Sequence, residues 1–249
     1  MSIPPVPNSF RTLFSGLLDL VWPRSCYLCD QRIDTATRSG CVCSTCRGEL
    51  TSDSAATCPR CAETVGPHTD TTAGCMNCRS RRFSFAGAVR LGAYQGKLRD
   101  AVLLAKHEGG EPLAEELGAL LGTTRTAPLN AVAAEAVVPV PLHWQRRWAR
   151  GYNQSEAVAR GLAHVLGLPC RPRWLIRTRP TAQQRLVSAA ARWENVRGAF
   201  RTGFGVRVRG VRILLVDDVL TTGATVDAAA AALMSAGAAQ VSVAVIAHR

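Results

Sequence analysis

The sequence of 249 residues contains almost no lysine, since Lys97 and Lys106 are the only two. The formal net charge of +12 therefore comes almost wholly from arginine. Arginine presents a planar fork of N–H donors that matches phosphate oxygens, so this composition favours phosphorylated small molecules or nucleic acid as partners. The alternative is that many of these arginines form an ordinary solvated surface.

Long hydrophobic runs are also missing, because no stretch reaches the roughly 20 consecutive apolar residues that cross a bilayer. Near the start of the chain, apolar residues recur at helical spacing and predict an amphipathic helix within residues 1–22. These residues are Phe10, Leu13, Phe14, Leu17, Leu18 and Val21. Asp19 interrupts the run, no basic region precedes Pro4 and Pro5, and no small-residue cleavage site is evident, so a secretory signal is not expected. We expect the helix to pack on the rest of the chain, with membrane-surface binding as the alternative.

Cysteine, by contrast, is plentiful and regularly spaced. Two C-x-x-C pairs separated by thirteen residues form one unit, and that unit occurs twice with an offset of 32 residues. The eight cysteines are Cys26, Cys29, Cys43, Cys46, Cys58, Cys61, Cys75 and Cys78. Two such pairs present four thiolates to one tetrahedral ion, so residues 23–82 are predicted to form two structural zinc ribbons.

The spacing leaves some details of these ribbons open. Sequential pairing of the C-x-x-C turns is the default, and nested pairing of the outer and inner turns is the alternative. Iron–sulfur clusters or redox dithiols also use C-x-x-C pairs. Cys41 is adjacent to the first unit and is an alternative ligand to Cys43, whereas Cys170 is expected to be a spare, partly buried thiol.

Residues 83–249 alternate between predicted strands and helices. Strands are expected at 83–94 (a strand or a hairpin), 136–141, 174–176, 212–216 and 240–247, and helices at 95–106, 111–121, 155–166 and 224–236. This alternation predicts an α/β domain in which helices flank a parallel sheet.

The most informative segment is 212–225. The short apolar run Ile213 to Val216 predicts a central strand, which is followed by two acids and a turn that opens a helix. Ligands of open α/β folds bind at this edge of the sheet, where helix N–H groups and threonine hydroxyls hold phosphate and carboxylates accept hydrogen bonds from sugar hydroxyls. The segment therefore predicts a ribose 5-phosphate site formed by Asp217, Asp218, Thr221, Thr222, Gly223, Ala224 and Thr225. The alternative is an ordinary connection between a strand and a helix.

The same segment resembles the phosphoribosyl pyrophosphate (PRPP) loop of type I phosphoribosyltransferases. The run from Pro139 to His143, followed by two arginines and the sequence from Arg150 to Ser155, resembles the signature of the competence protein F family. The cysteine-rich region is similar to that family's double zinc ribbon. The resemblance implies a type I phosphoribosyltransferase fold with an N-terminal zinc-ribbon module, and binding of PRPP with Mg²⁺.

Positions beyond the first central strand are expected to complete the site. Arg146, Arg147, Arg150 and Gly151 follow the strand at 136–141 and are the predicted diphosphate-binding or catalytic residues, and Lys106, which precedes that strand, is a second candidate for the diphosphate. Segment 178–197 resembles the family's mobile loop and is expected to close over the substrate as a lid, with Gln184, Arg192 and Asn195 as its functional residues. The alternative for the arginines is an ordinary solvated surface cluster. The alternative for segment 178–197 is a helix that packs on the domain without a role in the site.

Two functions are compatible with these features. The first is a phosphoribosyltransferase whose acceptor cannot be read from the sequence. The second is a non-catalytic component of the DNA-uptake machinery, which binds single-stranded DNA or uptake proteins and uses Trp144 and Trp148 for stacking on bases. The family resemblance implies a role in natural transformation and a cytoplasmic location at the inner face of the membrane.

Overall fold

The computed structural model of the chain describes residues 24–33, 40–142, 148, 151–179 and 189–249. The predicted N-terminal helix at 1–22 lies outside these residues. The domain boundary between residues 82 and 83 stays a prediction. None of the described helices is both long enough and apolar enough to cross a membrane.

Seven helices and six strands can be assigned within the described residues. In chain order they are α1 Ser44–Leu50, β1 Ala88–Ala93, α2 Gly96–Leu104, α3 Glu111–Thr124, α4 Thr126–Ala131, β2 Ala136–Pro139, α5 Gln154–Leu166, β3 Leu175–Arg177, α6 Ala189–Val196, β4 Phe200–Thr202, β5 Arg212–Leu220, α7 Ala224–Ser235 and β6 Gln240–His248. Four strands form a parallel sheet in the order β1-β6-β5-β2, and β3 pairs with β4 in an antiparallel ribbon. The predicted α/β fold is confirmed.

Strand β5 lies in the middle of the sheet and is covered on both faces. Leu214 and Val216 contribute to one hydrophobic core, which also receives residues of α2, α3 and α5. Ile213 and Leu215 contribute to a second core, which includes the buried face of α7. Alternation between two cores explains why the strand is an unbroken apolar run rather than an alternating one.

Helices α3 and α5 approach each other closely at two glycines. A Cβ atom at Gly118 would lie 2.0 Å from the carbonyl oxygen of Val158, and one at Gly161 would lie 1.9 Å from the carbonyl oxygen of Glu115. Neither position can accept a larger residue unless the helices move apart. This contact fixes α5, whose first residues lie beside the carboxyl end of β5.

The predicted strand at 212–216 was too short. Strand β5 continues to Leu220 because its pairing with β6 extends to the Leu220–His248 pair, whereas its pairing with β2 ends at Val216. Asp217 and Asp218 therefore belong to the strand itself and do not follow it.

Other predicted boundaries also differ. The strand expected at 136–141 ends at Pro139, and the strand or hairpin expected at 83–94 is the single strand Ala88–Ala93. Helix α4 was not predicted. Within the expected lid at 178–197, residues 189–196 form α6, which packs against α7; residues 180–188 lie outside the described part.

The first cysteine-rich unit packs against the α/β domain through charged contacts. Arg47 of α1 donates to Glu116 of α3 at 2.6 Å, and Glu116 also accepts a hydrogen bond from the backbone N–H of Cys41. Lys97 of α2 donates to Glu49 at 2.9 Å and reaches Cys46 Sγ at 3.5 Å. The two regions are therefore joined by hydrogen bonds from specific side chains.

Candidate functional site

The acid pair lies where β5 extends beyond its neighbour β2. Ser155, in the first turn of α5, donates from its hydroxyl to Asp217 Oδ1 at 2.8 Å. The backbone N–H of Asp218 donates to the same oxygen at 2.9 Å. Ser155 was not among the predicted site residues, although it lies in the segment that carries the family resemblance. The contact requires α5 to return to the end of β5, which the sequence pattern does not specify.

Lys106 forms an ion pair with Asp218, the second of the two acids. Its Nζ lies 2.9 Å from Asp218 Oδ2, and both side chains are about one quarter exposed. An ion pair this exposed contributes at most about 1 kcal/mol. A ligand can therefore separate the two groups at small cost. The predicted role of Lys106 at the diphosphate stays a prediction, but its position beside the acid pair is established.

Asp217 is the more unusual of the two carboxyl groups. Burial and the neighbouring charge of Asp218 raise its pKa from 3.8 to about 7, against the opposing effects of the Ser155 hydrogen bond and the charge of Lys106. A carboxyl group with such a pKa changes protonation near neutral pH. Groups of this kind are enriched at functional sites.

The turn after β5 leads directly into α7, and its assignment to phosphate stays a prediction. Gly223 immediately precedes α7 and has φ of 82°, a left-handed conformation that favours glycine. Gly223 supplies no capping side chain, and the first N–H groups of α7 have no intrahelical acceptors, although that of Ala224 lies 3.5 Å from Thr222 Oγ1. These groups and the positive end of the helix dipole favour an anion.

The turn opens on a cavity of about 190 Å³. Residues Thr221 to Gly223 line one side, and Glu63, Asn77 and Cys78 of the second cysteine-rich unit line another. Arg81 and Phe83 also line this cavity, so it lies between the turn and the second cysteine-rich unit.

The remaining predicted residues are only partly described. Arg146, Arg147, Arg150 and Gln184 lie outside the described residues, and Arg192 belongs to α6. Asn195 is half-buried in α6. Gly151 has φ of 77°, which fits the expectation of an unusual backbone at this position. The assignments to the diphosphate and to the lid stay predictions.

The eight paired cysteines form two groups of four sulfur atoms. Within each group all sulfur atoms lie within 4.8 Å of one another, and the groups are Cys26, Cys29, Cys43, Cys46 and Cys58, Cys61, Cys75, Cys78. Sulfur-to-sulfur distances of 3.5 to 3.7 Å match the edge of about 3.8 Å expected for a tetrahedron with Zn–S bonds of about 2.3 Å. Sequential pairing is confirmed, and both groups fit structural zinc.

In each group the pKa of one cysteine is lowered by hydrogen bonds from backbone N–H groups, which favour the thiolate form that zinc requires, whereas burial raises the pKa of Cys46 and Cys61. Burial alone would raise the pKa of Cys26, but the backbone N–H groups of Cys43, Leu28 and Cys29 outweigh it and lower the pKa to about 7. Cys58 has the same arrangement and also a pKa of about 7.

Cys41 and Cys170 lie outside the four-sulfur groups. The proposed exchange of Cys41 with Cys43 was wrong, because Cys41 lies beside Glu116, and its pKa is raised by burial and by the charge of that carboxylate. Cys170 is a half-buried thiol, as expected, and burial raises its pKa.

Two family models match the chain. One describes a double zinc ribbon domain and matches residues 17–81; the other describes a phosphoribosyl transferase domain and matches residues 205–249.

The chain is also similar to curated proteins over most of its length. It is 33% identical over 230 residues to the DNA utilization protein YhgH of Escherichia coli K12, covering 90% of this chain and 96% of that protein. It is 31% identical over 227 residues to the protein of the same name from Salmonella typhi, with the same coverage. Competence protein F of Haemophilus influenzae is 31% identical over 179 residues, covering 68% of this chain and 76% of that protein.

Solved structures show more distant similarity. The allosteric regulatory enzyme of purine biosynthesis is 28% identical with a TM-score of 0.37, and the match covers 55% of this chain and 26% of that one. Glutamine PRPP amidotransferase from B. subtilis is 27% identical with a TM-score of 0.37, covering 55% and 27% of the two chains. The overlap spans about a quarter of each of these larger chains.

The grouping of the cysteines predicts the outcome of two serine substitutions. We expect Cys78→Ser to lower the zinc content from about two ions per chain to about one, because a tetrahedral structural site needs all four ligands. Cys41→Ser is the matched control and should keep about two ions. Elemental analysis of the purified proteins measures both. Full zinc content in Cys78→Ser, or loss of zinc from Cys41→Ser, would show that the ligands are assigned wrongly.

The raised pKa of Asp217 predicts a pH-dependent stability. Between pH 3.8 and about 7 the folded chain keeps a proton that the unfolded chain has released, so this group makes stability fall as the pH rises through that window. Asp217→Asn removes the titration. We expect the unfolding free energy of the variant, relative to wild type, to rise by about 2 to 3 kcal/mol from pH 5 to pH 8.

Urea denaturation at several pH values measures this difference. Asp100→Asn, which changes an exposed carboxylate of α2, is the control and should show a difference that does not vary with pH. The same pH-independent result for Asp217→Asn would contradict the assignment of a raised pKa.

Proposed function

The chain belongs to the family that includes the DNA utilization protein YhgH and competence protein F, and from this premise we propose that it binds Mg-PRPP and acts as a phosphoribosyltransferase. The observation that carries the proposal is the acid pair of β5 followed directly by the glycine-containing turn at the start of α7. The family model for phosphoribosyl transferase domains, which matches residues 205–249, supports it.

The acid pair would bind the ribose ring. The carboxylates of Asp217 and Asp218 accept hydrogen bonds from the 2- and 3-hydroxyl groups, and such charge-assisted bonds are stronger than neutral ones. Ser155 holds Asp217 in place at 2.8 Å, so the carboxylate keeps its orientation before the ligand arrives. Because Lys106 already neutralises Asp218, the pair does not repel an incoming phosphate with two full charges.

The turn would bind the 5-phosphate. The N–H groups at the start of α7 and the hydroxyls of Thr221, Thr222 and Thr225 supply donors, and the left-handed Gly223 leaves room for close approach of an oxygen. The sugar and the phosphate are thus recognised by consecutive parts of one segment.

Charge on the leaving group would be neutralised from the other side of the site. Mg²⁺ bound with PRPP would supply a hard cation that offsets part of the negative charge of the diphosphate. Arg146, Arg147 and Arg150 would add bidentate contacts to the diphosphate, which stabilise the charge as it develops. Segment 178–197 would exclude water from the site.

The reaction is a substitution at C1 of the ribose. The bond from C1 to the diphosphate oxygen breaks and its electron pair leaves with the diphosphate, while the lone pair of a nitrogenous acceptor forms the new bond to C1. The acceptor nitrogen then releases a proton. No pocket among the described residues defines the acceptor, so its identity has to be found by experiment.

A double substitution tests PRPP binding. We expect Asp217→Asn with Asp218→Asn to weaken Mg-PRPP binding by at least about 100-fold, because both charged acceptors for the ribose hydroxyls are lost. Isothermal titration calorimetry measures the affinity. The matched control is Asp70→Asn with Asp100→Asn, which removes the same charge from two exposed sites, where Asp70 bonds to Thr72 and Asp100 pairs with Arg99.

Two results would contradict the proposal that the chain binds Mg-PRPP at the acid pair. They are an unchanged affinity in the Asp217/Asp218 variant and equal losses of affinity in both double variants. Consumption of PRPP with a panel of nucleobases and amines, compared between wild type and the same variant, then tests catalysis and identifies the acceptor class.

We infer a second candidate function in binding single-stranded DNA. Trp148 is 88% exposed, and it lies in sequence between Arg147 and Arg150 in a chain with a net charge of +12. An exposed aromatic ring among arginines provides a stacking surface for bases beside cations for the backbone. The names of the relatives refer to DNA utilization and competence, which fits this function.

This second function predicts salt-sensitive binding that depends on Trp148. We expect Trp148→Ala to weaken binding of an oligothymidylate by roughly 5- to 100-fold, the equivalent of losing one stacked base. Affinity should also fall steeply with salt. Fluorescence anisotropy measures both. Met76→Ala, which removes a similarly exposed apolar side chain from the second ribbon, is the control; equal effects of the two variants, or a flat salt response, would exclude the function.

A further inference from the structure

The turn from Thr221 to Gly223, which we call the phosphate turn, is in contact with the segment that leaves the second cysteine-rich unit. We call this segment, Arg81 to Ser84, the ribbon exit. Arg81 donates from Nη1 to the carbonyl oxygen of Thr222 at 3.2 Å, and the backbone N–H of Ser84 donates to Asp227 Oδ1 at 2.6 Å. One contact is with the turn itself and the other is with the first turn of α7.

The ribbon exit also packs against the glycine of the turn. A Cβ atom at Gly223 would lie 3.5 Å from Cε1 of Phe83, so the Phe83 ring closes the space behind this residue. The ring of Phe83 is itself stacked on Phe85, with centroids 4.6 Å apart. The turn is therefore held by a hydrogen bond on one peptide group and by an aromatic ring on the next residue.

The hydrogen bond from Arg81 fixes the direction of a phosphate-binding group. The described residues contain no cis peptide bond, and in a trans peptide the carbonyl and the following N–H point in opposite directions. Since the Thr222 carbonyl points toward Arg81, the N–H of Gly223 points away from the ribbon exit. Among the described residues this N–H has no acceptor, so it is available to an anion on the opposite side.

The backbone of Arg81 is in turn fixed by the second four-sulfur group. The N–H of Arg81 donates to the carbonyl of Cys78 at 3.0 Å, and the carbonyl of Arg81 accepts from Arg60 Nη2 at 2.9 Å. Arg60 lies between Cys58 and Cys61 in the same group. A short series of contacts therefore leads from the cysteine ligands to Arg81, then to Thr222, and then to the N–H of Gly223.

We propose that Arg81 is a positioning residue for the phosphate turn, so that the second zinc ribbon forms part of the phosphoribosyl site. The inference rests on the proposed function and extends it, since it assigns to the ribbon a role in recognising the 5-phosphate. Arg81 acts through the Thr222 carbonyl and not by touching the ligand, because the peptide geometry places the phosphate on the other side of the turn.

The experiment compares Arg81→Ala with Arg82→Ala. The two arginines are adjacent and both exposed, so the variants lose the same charge from nearly the same place. We expect Arg81→Ala to weaken ribose 5-phosphate and Mg-PRPP by about tenfold, the effect of losing one charge-assisted hydrogen bond that orders the turn. Arg82→Ala should change either affinity less than about twofold. Arg81→Lys keeps one donor and should recover part of the loss.

A ligand without a 5-phosphate distinguishes two effects of removing Arg81, the loss of order in the turn and the loss of one positive charge near the site. Pyrophosphate with Mg²⁺ does not need the turn, so its affinity should change equally in Arg81→Ala and Arg82→Ala. A selective loss for ribose 5-phosphate supports the proposal, and an equal loss for both probes overturns it.

Hydrogen exchange of the ligand-free protein provides a readout that is independent of PRPP. We expect faster exchange in a peptide covering residues 219–226 for Arg81→Ala than for Arg82→Ala, with unchanged exchange in β1. Equal exchange in the two variants overturns the proposal. If the wild type binds neither ribose 5-phosphate nor PRPP, the proposed function fails, and the exchange difference alone then decides whether Arg81 holds the turn.

Discussion

Strand β5 is hydrogen-bonded as far as Leu220 on the side of β6 but only as far as Val216 on the side of β2. This difference in pairing places the acid pair on the part of the strand that has a neighbour on one side only. The acids keep the rigidity of a paired strand, while the missing neighbour leaves space for Ser155 and Lys106 to reach them. The arrangement has an energetic cost, since Asp217 is desolvated beside a second carboxylate and its pKa rises to about 7. A site built this way gains orientation at the expense of stability.

The two cysteine-rich units stand in different relations to this site. The first packs through α1 on α2 and α3, where Lys97 lies 3.5 Å from Cys46 Sγ. The second lies against the turn from Thr221 to Gly223 and lines the cavity beside it. The ring of Phe83 in the ribbon exit stacks on Trp193 of α6 with centroids 6.4 Å apart, so the ribbon exit also contacts the segment expected to form the lid. Although the two units repeat in sequence, they contact different parts of the α/β domain.

Local patterns were enough to predict the elements that carry the chemistry. The apolar run before Asp217 predicted β5, and the spacing of the cysteines predicted both four-sulfur groups and their sequential pairing. The end of β5 was predicted wrongly because it depends on how far β6 extends, which is a property of the sheet. Ser155 and Arg81 were missed for the same reason: their contacts join residues 62 and 141 positions apart. The role suggested for Cys41 failed because proximity in sequence to a ligand does not place a sulfur atom in the tetrahedron.

The scarcity of lysine has a chemical consequence. Both ε-amino groups of this chain lie against an anionic centre, Lys97 at a zinc-ligand thiolate and Glu49, and Lys106 at Asp218. Acylating reagents and enzymes that modify side-chain amines find only these two targets among 249 residues. Loss of the positive charge from either amine would leave the neighbouring anionic groups without that cation, in the first ribbon for Lys97 and in the acid pair for Lys106.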